Sequence, residues 1–410
     1  MLMQVNPMIV EFEQAYAAVL QQARSVLMPT ESLPLWQAQG RVLAQDVFAP
    51  INWPTWPQSA MDGFAINSQD RSARFRILAS AFADKVPSDC VLQAGQAQRI
   101  MTGAVIPQGC DAIVPLEYAV LQTTPDGDWL LNPNLPHKLW SQGRHIKAVG
   151  SDVRQGEKLL AKGTLLATKE RALLASVGCS QVSVFVKPKV AVLTLGDELT
   201  DPGEPLTQGG VYNANRFLLQ GLLSGLSIEL VAMETLPDEY AVIAQRLQSL
   251  GQTVDCIFTV GGSSVGDKDW LPKILQAEGH FHRFKINMKP AKPLMSAQLG
   301  RAQLLALPGN PLATYFSFQL FAKPLLQVMA GQALATEFAQ GEELRLAEPL
   351  QIADKLRWIL VRRVGSEVWP MQASASQLSV LQKAQGFIRV AAHQSLAKGD
   401  RVRFFAGTEC

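Results

Sequence analysis

The sequence predicts a multidomain protein of α/β and β structure, built around a central three-layer α/β domain. Three observations predict it. Between residues 189 and 330, continuous apolar runs alternate with segments whose apolar residues recur at helical spacing. That alternation is the pattern of βαβ crossovers and of a mostly parallel sheet covered on both faces. Residues 73–140 carry short apolar runs broken by Gly, Pro, Asn and Asp, the mark of a strand-rich region. The last segment, 340–410, alternates in LRWILVRRV, GFIRVA and DRVRFFAG between glycine turns, and reads as a small β domain.

Length and composition bound the rest. At 410 residues the chain has room for roughly two to four domains at about 150 residues each. A hydrophobic content of 48% with 18% charged residues describes a globular protein with sizeable cores. Lys+Arg of 37 against Asp+Glu of 35 leaves a net charge of +2, which gives no reason to expect a nucleic-acid partner. No apolar run is long enough to cross a bilayer, and MLMQVNPMIVEFEQ lacks the basic start and apolar core of a signal peptide. A cytoplasmic protein is therefore expected. The cysteines (Cys90, Cys110, Cys179, Cys256, Cys410) show no CxxC pairing and are expected to be mostly buried, small apolar residues. The histidines (His137, His145, His280, His282, His393) lack zinc-type spacing; His280 and His282 share one face of a strand.

Taken in order, residues 9–26 read as an amphipathic helix, with Phe12, Tyr16, Val19, Leu20 and Ala23 at helical spacing. PLWQAQGRVLAQDVFAP follows and ends at Pro50. The segment 51–67, INWPTWPQSAMDGFAIN, is dense in turn-formers and aromatics. Asp62-Gly63 in it reads either as a hairpin turn or as a carboxylate at the lip of a site on a rigid loop. Residues 143–166 alternate around glycine turns; 167–188 give a helix closed near Gly178 and a strand running to Pro188, a domain boundary. KVAVLTLGDEL, SIELVAMET and CIFTVGG then supply strands, with helices over 215–225 and from Asp238 onward. A helix face at Trp270, Leu271, Ile274 and Leu275 ends by Gly279. FKINMKPAKPLMSAQL and AQLLALPGN supply further strands, and Asn310-Pro311 read as N-cap and first turn of a long apolar helix, 311–329.

The stretch that organises the chain is TVGGSSVGDKDW, 259–270. Gly261 and Gly262 turn the backbone sharply after a buried strand, and Ser263, Ser264, Gly266 and Asp267 lead into a helix. Backbone N–H groups at such a turn point outward and suit an anion such as a phosphate, while Asp267 and Asp269 can hold a divalent cation beside it. Glycine also serves plain tight turns, so both readings stand. Ligands of open α/β sheets sit beyond the carboxyl ends of the strands. Four loops lie at or near such ends: LGDEL (195–199), LPDE (236–239), GGSSVGDKD (261–269) and LPGNP (307–311). Asp197 and Glu198 read equally as acids favoured by a helix N-terminus, and Asp238 as an N-cap.

Six segments in order resemble the molybdopterin molybdenumtransferase family, the bacterial MoeA type that includes the E domain of gephyrin. SAMDGFA (59–65) resembles the family's S-A-M-D-G-Y-A, and RIMTGAVIPQGCDAIVPLE (99–117) resembles R-I-M-T-G-A-x-x-P-x-G-A-D-A-V-V-x-x-E. LTLGDEL (193–199) resembles T-G-D-E-L, and GGSSVGDKD resembles G-G-V-S-V-G-x-x-D; KPAKP (289–293) and LPGNP complete the set. The resemblance implies a discontinuous, elongated N-terminal dimerisation domain (1–50 and 142–187) and an inserted β domain (51–141). It further implies a molybdopterin-binding α/β domain (188–331) and a C-terminal β-barrel-like domain (332–410).

The same resemblance implies an activity. Family members insert molybdate into molybdopterin, starting from the adenylylated form and releasing AMP with a divalent cation, Mg2+. They are homodimers whose active site lies between the α/β domain of one subunit and the small β domain of the other. Asp62 and Thr102 would then reach into the partner's site. Glu198, Asp238 and Asp269 fall on the family's acidic positions as metal ligands, and Asp152 is a further family acid. Lys285, Lys289 and Lys292 are the phosphate-binding lysines, each a compact point charge. Gly196, Asp197, Gly261, Gly262, Ser263, Ser264, Gly266 and Gly309 line the pterin site, with Pro308 and Pro311 fixing the last loop. Other proteins of the same pathway are the implied partners.

The chain also departs from the pattern. GRHIKAVGSD (143–152) has His145, Lys147 and Ser151 where Asn, Arg and Glu are usual, and Lys147 cannot reproduce a bidentate arginine grip. Asn213 replaces Asp, Pro57-Gln58 replace Asp-Asn, and Ala291 replaces a Gly whose positive φ or close ligand approach an alanine would hinder. The alternatives to the enzyme are a reduced-activity or non-catalytic pterin carrier and a tungsten-preferring insertase. A nicotinamide dehydrogenase is disfavoured, because the first strand of the α/β domain is followed by LGDELTDPG and not by GxGxxG.

Overall fold

The computed structural model describes residues 8–82, 91–131, 141–262, 270–278, 281–334 and 341–407. The chain folds as two compact units: Met1–Gln45, Lys162–Thr168 and Gln181–Cys410 form one; Asp46–Ala161 and Lys169–Ser180 form the other.

The larger unit is organised by a seven-stranded sheet. Its order is Met8–Val10, Phe281–Ile286, Pro293–Leu299, Ala302–Leu307, Cys256–Val260, Lys189–Leu195, Glu229–Leu236. Neighbours pair in parallel except at Pro293–Leu299, which runs antiparallel to both of its neighbours. Period-two alternation sends successive side chains to opposite faces. Val190, Val192, Cys256, Phe258, Leu305 and Leu307 therefore join the core under helices Phe12–Arg24, Ala214–Ser224 and Pro311–Ser317. Ala191, Leu193, Ile257, Leu304 and Ala306 join the core under helices Tyr240–Thr253 and Leu271–Glu278. Burial on both faces is why these strands read as unbroken apolar runs, and it makes the three layers anticipated from the sequence.

In the same unit, Leu356–Val364, Glu367–Pro370, Glu342–Leu346, Arg401–Ala406 and Gly386–Val390 pair in a ring that closes on Leu356–Val364, a five-stranded barrel. Trp358 and Phe387 of the barrel pack edge-on against Phe12 and Phe316, so barrel and helical layer share an aromatic core.

The smaller unit carries a six-stranded sheet in the order Ala112–Pro115, Gly63–Ile66, Gln96–Ile100, Arg74–Ala81, Gly127–Leu131, Val120–Thr124. Phe64, Ile66, Phe75 and Leu130 are fully buried within it. Helix Thr168–Ser176 ends ahead of Gly178 at φ 82°, the left-handed stop anticipated there.

Four local expectations are corrected. The first helix starts at Phe12, because Ile9 and Val10 pair with Lys285 and Ile286 at the sheet edge. Asp62-Gly63 is no hairpin turn: Gly63 opens a central strand, and a Cβ there would sit 2.1 Å from the Val114 carbonyl. The N-cap of helix Tyr240–Thr253 is Glu239, not Asp238, whose N–H and C=O both go to side chains described below. The helix begun at Pro311 changes to a π-turn over Phe318–Ala322 before Lys323–Met329, and the Asn310 side chain makes no cap bond. Cys256 alone of the described cysteines is fully buried; Cys110 and Cys179 are half-buried, and Cys90 and Cys410 lie outside the described residues.

Candidate active site at the sheet edge

The parallel register puts the carboxyl ends of four neighbouring strands side by side: Leu307 beside Val260, Val260 beside Thr194, and Thr194 beside Thr235. The four turns anticipated from the sequence leave this one edge, and they touch. The Gly196 N–H donates to the Leu236 carbonyl at 3.3 Å. Gly261, at φ 89°, packs so closely on the first turn that an added Cβ would lie 2.5 Å from the Leu195 carbonyl oxygen. Gly309 in turn lies over Gly261, where an added Cβ would meet its Cα at 3.7 Å. Gly262 is also left-handed, at φ 66°. Glycine at 261 is thus required both by conformation and by close approach. Ser263, Ser264, Gly266, Asp267 and Asp269 lie outside the described residues.

Glu198 and Asp238 stand on this edge together with Asp197. Glu198 folds back over Gly196 (φ 154°), where a Cβ would come within 2.6–2.8 Å of its carboxylate. Asp238 is held through its backbone: its N–H donates to Asp197 Oδ1 at 3.0 Å, and its carbonyl accepts from the Trp270 indole at 2.7 Å. Among the described residues, no three His, Cys, Asp or Glu side chains gather as a metal cluster. The third expected ligand, Asp269, is outside them.

The lysines reach the same edge by topology. Phe281–Ile286 runs parallel to the four central strands, and Lys285 pairs with Pro293, at the end of its strand that lies beside Leu307. At about 4.8 Å per strand this is roughly 10 Å along the edge from the LPGNP turn. Lys285, Lys289 and Lys292 are all exposed, with the Lys292 carbonyl accepting from the Ile286 N–H at 2.8 Å. Ala291 between them does adopt positive φ, 67°, and is buried in the apolar core at 3% exposure. Alanine at 291 thus takes a left-handed backbone of the kind that favours glycine. Pro308 is buried and its carbonyl accepts from Thr314 Oγ1 at 2.6 Å, with Pro311 in the first helical turn.

Two asparagines complete the edge. Asn213, N-cap of Ala214–Ser224, accepts from the Arg216 N–H and donates to the Thr194 and Thr235 hydroxyls at 2.7 and 3.0 Å. Both amide N–H groups of this buried side chain therefore find acceptors. Asn215 donates to the Gly309 carbonyl at 2.6 Å, and its buried Oδ1 has no hydrogen-bond partner among the described residues. The sequence reading missed Asn215 and the bonding role of Trp270. The only sequence signals are the second Asn of YNANR and a Trp next to the glycine turn.

The smaller unit carries the other expected residues. Asp62 Oδ1 accepts both the Thr102 N–H and the Thr102 hydroxyl, each at 2.7 Å. The Thr102 amide first, then its hydroxyl, hold the Asp62 carboxyl below its ordinary range, with Arg99 assisting. Both side chains are exposed. Asp152 is exposed as well; its N–H donates to the Trp53 carbonyl at 3.1 Å, and it makes no hydrogen bond to Asp62 or Thr102. His145, at φ 57°, occupies the left-handed region that Asn also tolerates, and burial first, then the Arg144 charge, push its imidazole below the ordinary value.

Residues 10–178 match the family model for the MoeA N-terminal region (domain I and II), and residues 191–328 match that for a probable molybdopterin binding domain. The molybdopterin molybdenumtransferase of Haemophilus influenzae is 34% identical over 322 residues, covering 76% of this chain and 78% of that protein. That of Synechococcus elongatus is 32% identical over 415 residues, covering 96% and 99%. Among solved structures, the molybdopterin biosynthesis MoeA protein from Pyrococcus horikoshii superimposes with TM-scores of 0.76 and 0.73 in two determinations. These are 24% and 23% identical, and cover 98% and 97% of this chain and all of theirs.

Proposed function

The chain belongs to the molybdopterin molybdenumtransferase family, transferases of molybdenum-cofactor biosynthesis, and from that premise we propose that it inserts molybdate into adenylylated molybdopterin with Mg2+-dependent release of AMP. One observation carries the reading. Four strand ends converge on glycine turns packed backbone against backbone, with carboxylates at their rim and lysines along the same edge.

Cleaving a phosphoanhydride is chiefly a matter of positioning and charge neutralisation. Turns without side chains let backbone N–H groups approach an anion closely. Lys285, Lys289 and Lys292 add positive charge without a fixed fork. Glu198 and Asp238 are hard oxygen donors on one edge, and the Glu198 carboxylate sits in a cradle that any side chain at 196 would fill. They fit Mg2+, which favours carboxylates together with phosphate oxygens and water. Glu198, Asp238 and Asp269 would hold it, and when bound it supplies neutralisation of phosphate charge. Gly196, Asp197, Gly261, Gly262, Ser263, Ser264, Gly266, Pro308, Gly309 and Pro311 belong to the substrate-binding turns in this reading.

A second copy of the chain supplies Asp62 and Thr102 in the same reading, which takes the family's homodimer as its frame, with Asp152 a further acid near the oxyanion or that partner site. Asp62 arrives ionised and rigidly held, because Thr102 gives it two donors. The reading includes a cytoplasmic protein receiving its adenylylated substrate from another protein of the pathway, with domain boundaries near 50, 141, 187 and 331.

The decisive assay follows AMP release from adenylylated molybdopterin with molybdate and Mg2+. The expected result is turnover that stops with a chelator and falls about a hundredfold or more in Asp62→Ala. Tight pterin binding with no AMP release would replace the insertase by a carrier. Faster turnover with tungstate would change the substrate metal and leave the site assignment intact.

A further inference from the structure

Helix Leu271–Glu278 is preceded by Trp270, which the apolar pattern alone assigns to a helix face. Its ring does pack on the core beneath Tyr240–Thr253, but its polar atom goes elsewhere. The indole N–H donates to the carbonyl of Asp238 at 2.7 Å, near the short end of the hydrogen-bond range. Tyr240 meets the ring edge-on at 6.0 Å and 87°, and the Lys273 ammonium lies 4.3 Å from its centroid. An indole held from two sides has little rotamer freedom left, so its N–H is aimed before any ligand arrives.

The peptide it grips needs such a grip. Asp238 stands between the end of strand Glu229–Leu236 and the N-cap Glu239, outside both ladders. Its N–H is taken by Asp197 and its carbonyl by Trp270, so neighbouring turns hold it from its two polar ends. The Glu239 N–H donates to the Pro237 carbonyl at 2.8 Å, which tightens the turn around it. The two bonds fall on the two peptide planes that flank the Asp238 Cα, and fixing both planes fixes the direction of its Cα–Cβ bond.

We propose that Trp270 is a positioning residue for Asp238: its indole N–H fixes the peptide that carries this carboxylate at the sheet edge. The inference rests on the insertase reading for its catalytic consequence, but not for its structural one. Trp270→Phe keeps an aromatic ring for Tyr240 and removes only the N–H; Trp270→Leu removes both.

The test measures hydrogen exchange at the Asp238 amide and steady-state kinetics of AMP release in the full-length wild type and Trp270→Phe. The amide keeps its bond to Asp197 in this variant, so a rise in exchange of about tenfold reads the loosened peptide beside it, with the global unfolding midpoint unchanged. The kcat should fall about tenfold, the half-saturating Mg2+ concentration should rise, and the KM for adenylylated molybdopterin should stay within about twofold. Unchanged exchange at Asp238 overturns the proposal, as does a raised KM with unchanged kcat. If the wild type releases no AMP, the functional reading falls, while the exchange experiment still decides whether Trp270 holds Asp238. Should Trp270→Phe unfold, hydrogen exchange of the Trp270 indole N–H in the wild type decides: it should be slowed at least about tenfold relative to a free indole, and exchange at the free-indole rate overturns the grip.

Discussion

Thr102 gives Asp62 both an amide and a hydroxyl, and this pair fixes how the carboxylate responds to pH. Because the folded carboxyl is held below its ordinary value, the associated stability is fully present above the unfolded value of about 3.9 and is lost as pH falls through the folded one. Thr102→Val removes the hydroxyl and keeps the amide, so an NMR titration of the Asp62 carboxyl carbon should move up toward the ordinary range. At neutral pH the group stays ionised in both proteins. Any loss of AMP release by Thr102→Val at pH 7 therefore reports on geometry and not on charge; a titration unmoved by the substitution removes the hydroxyl from the account. Ala291 poses a different question at the same scale. Left-handed backbone costs an alanine about 1 kcal/mol, which Ala291→Gly would relieve. Against that stand about 0.8 kcal/mol for the buried methyl and about 0.4–1 kcal/mol of unfolded-chain entropy. The two sides nearly cancel, so Ala291→Gly should change stability in urea by less than about 1 kcal/mol. A gain well beyond that would mean the alanine strains the lysine turn.

At the scale of elements, the turns at the sheet edge differ in how much they tolerate. Gly261→Ala forces a Cβ to 2.5 Å from the Leu195 carbonyl at φ 89°, where no flexible side chain can give way. The loss should exceed about 3 kcal/mol by urea unfolding, from left-handed strain plus separation of two strand ends. Gly309→Ala meets only ordinary contact at 3.7 Å and should lose less than about 1 kcal/mol. If Gly309→Ala folds normally yet binds pterin poorly, glycine at 309 is there for the ligand; if both substitutions are equally mild, the stacked-turn description fails. These turns were legible in the sequence because strands buried on both faces read as continuous apolar runs, and the glycine turns follow them. The strand order was not legible. Nothing local to Pro293–Leu299 says that it runs antiparallel, and that reversal sets its start, next to Lys292, at the same edge as Lys285. Ile9 fits a helical stripe and a sheet edge alike, and only its pairing with Lys285 decides for the edge. Trp270 was read by its ring, whereas its partner at Asp238 is 32 residues away in sequence and depends on the register of the whole sheet.

For the whole molecule, the six family motifs were legible in order, and they fall in both units. SAMDGFA and the Thr102 motif belong to the smaller unit, while LTLGDEL and LPGNP belong to the larger. How copies of the chain associate is written on surfaces made only by folding, so no local pattern carries it. The cross-subunit reading nevertheless makes a quantitative prediction through symmetry. Asp62→Ala removes one half of the proposed site and Glu198→Ala the other, so each homodimer alone should be inactive. If the two variants are unfolded together, mixed in equal amounts and refolded, random pairing gives heterodimers as roughly half of all dimers. In such a heterodimer one site collects both substitutions and the other collects neither. About half the dimers then carry one intact site of two, and AMP release should recover to roughly a quarter of wild type. Were Asp62 and Glu198 to serve a site within one copy, every site in the mixture would carry a substitution. No recovery from verified heterodimers would thus confine the reaction to single chains, whereas recovery near a quarter requires each site to draw on two.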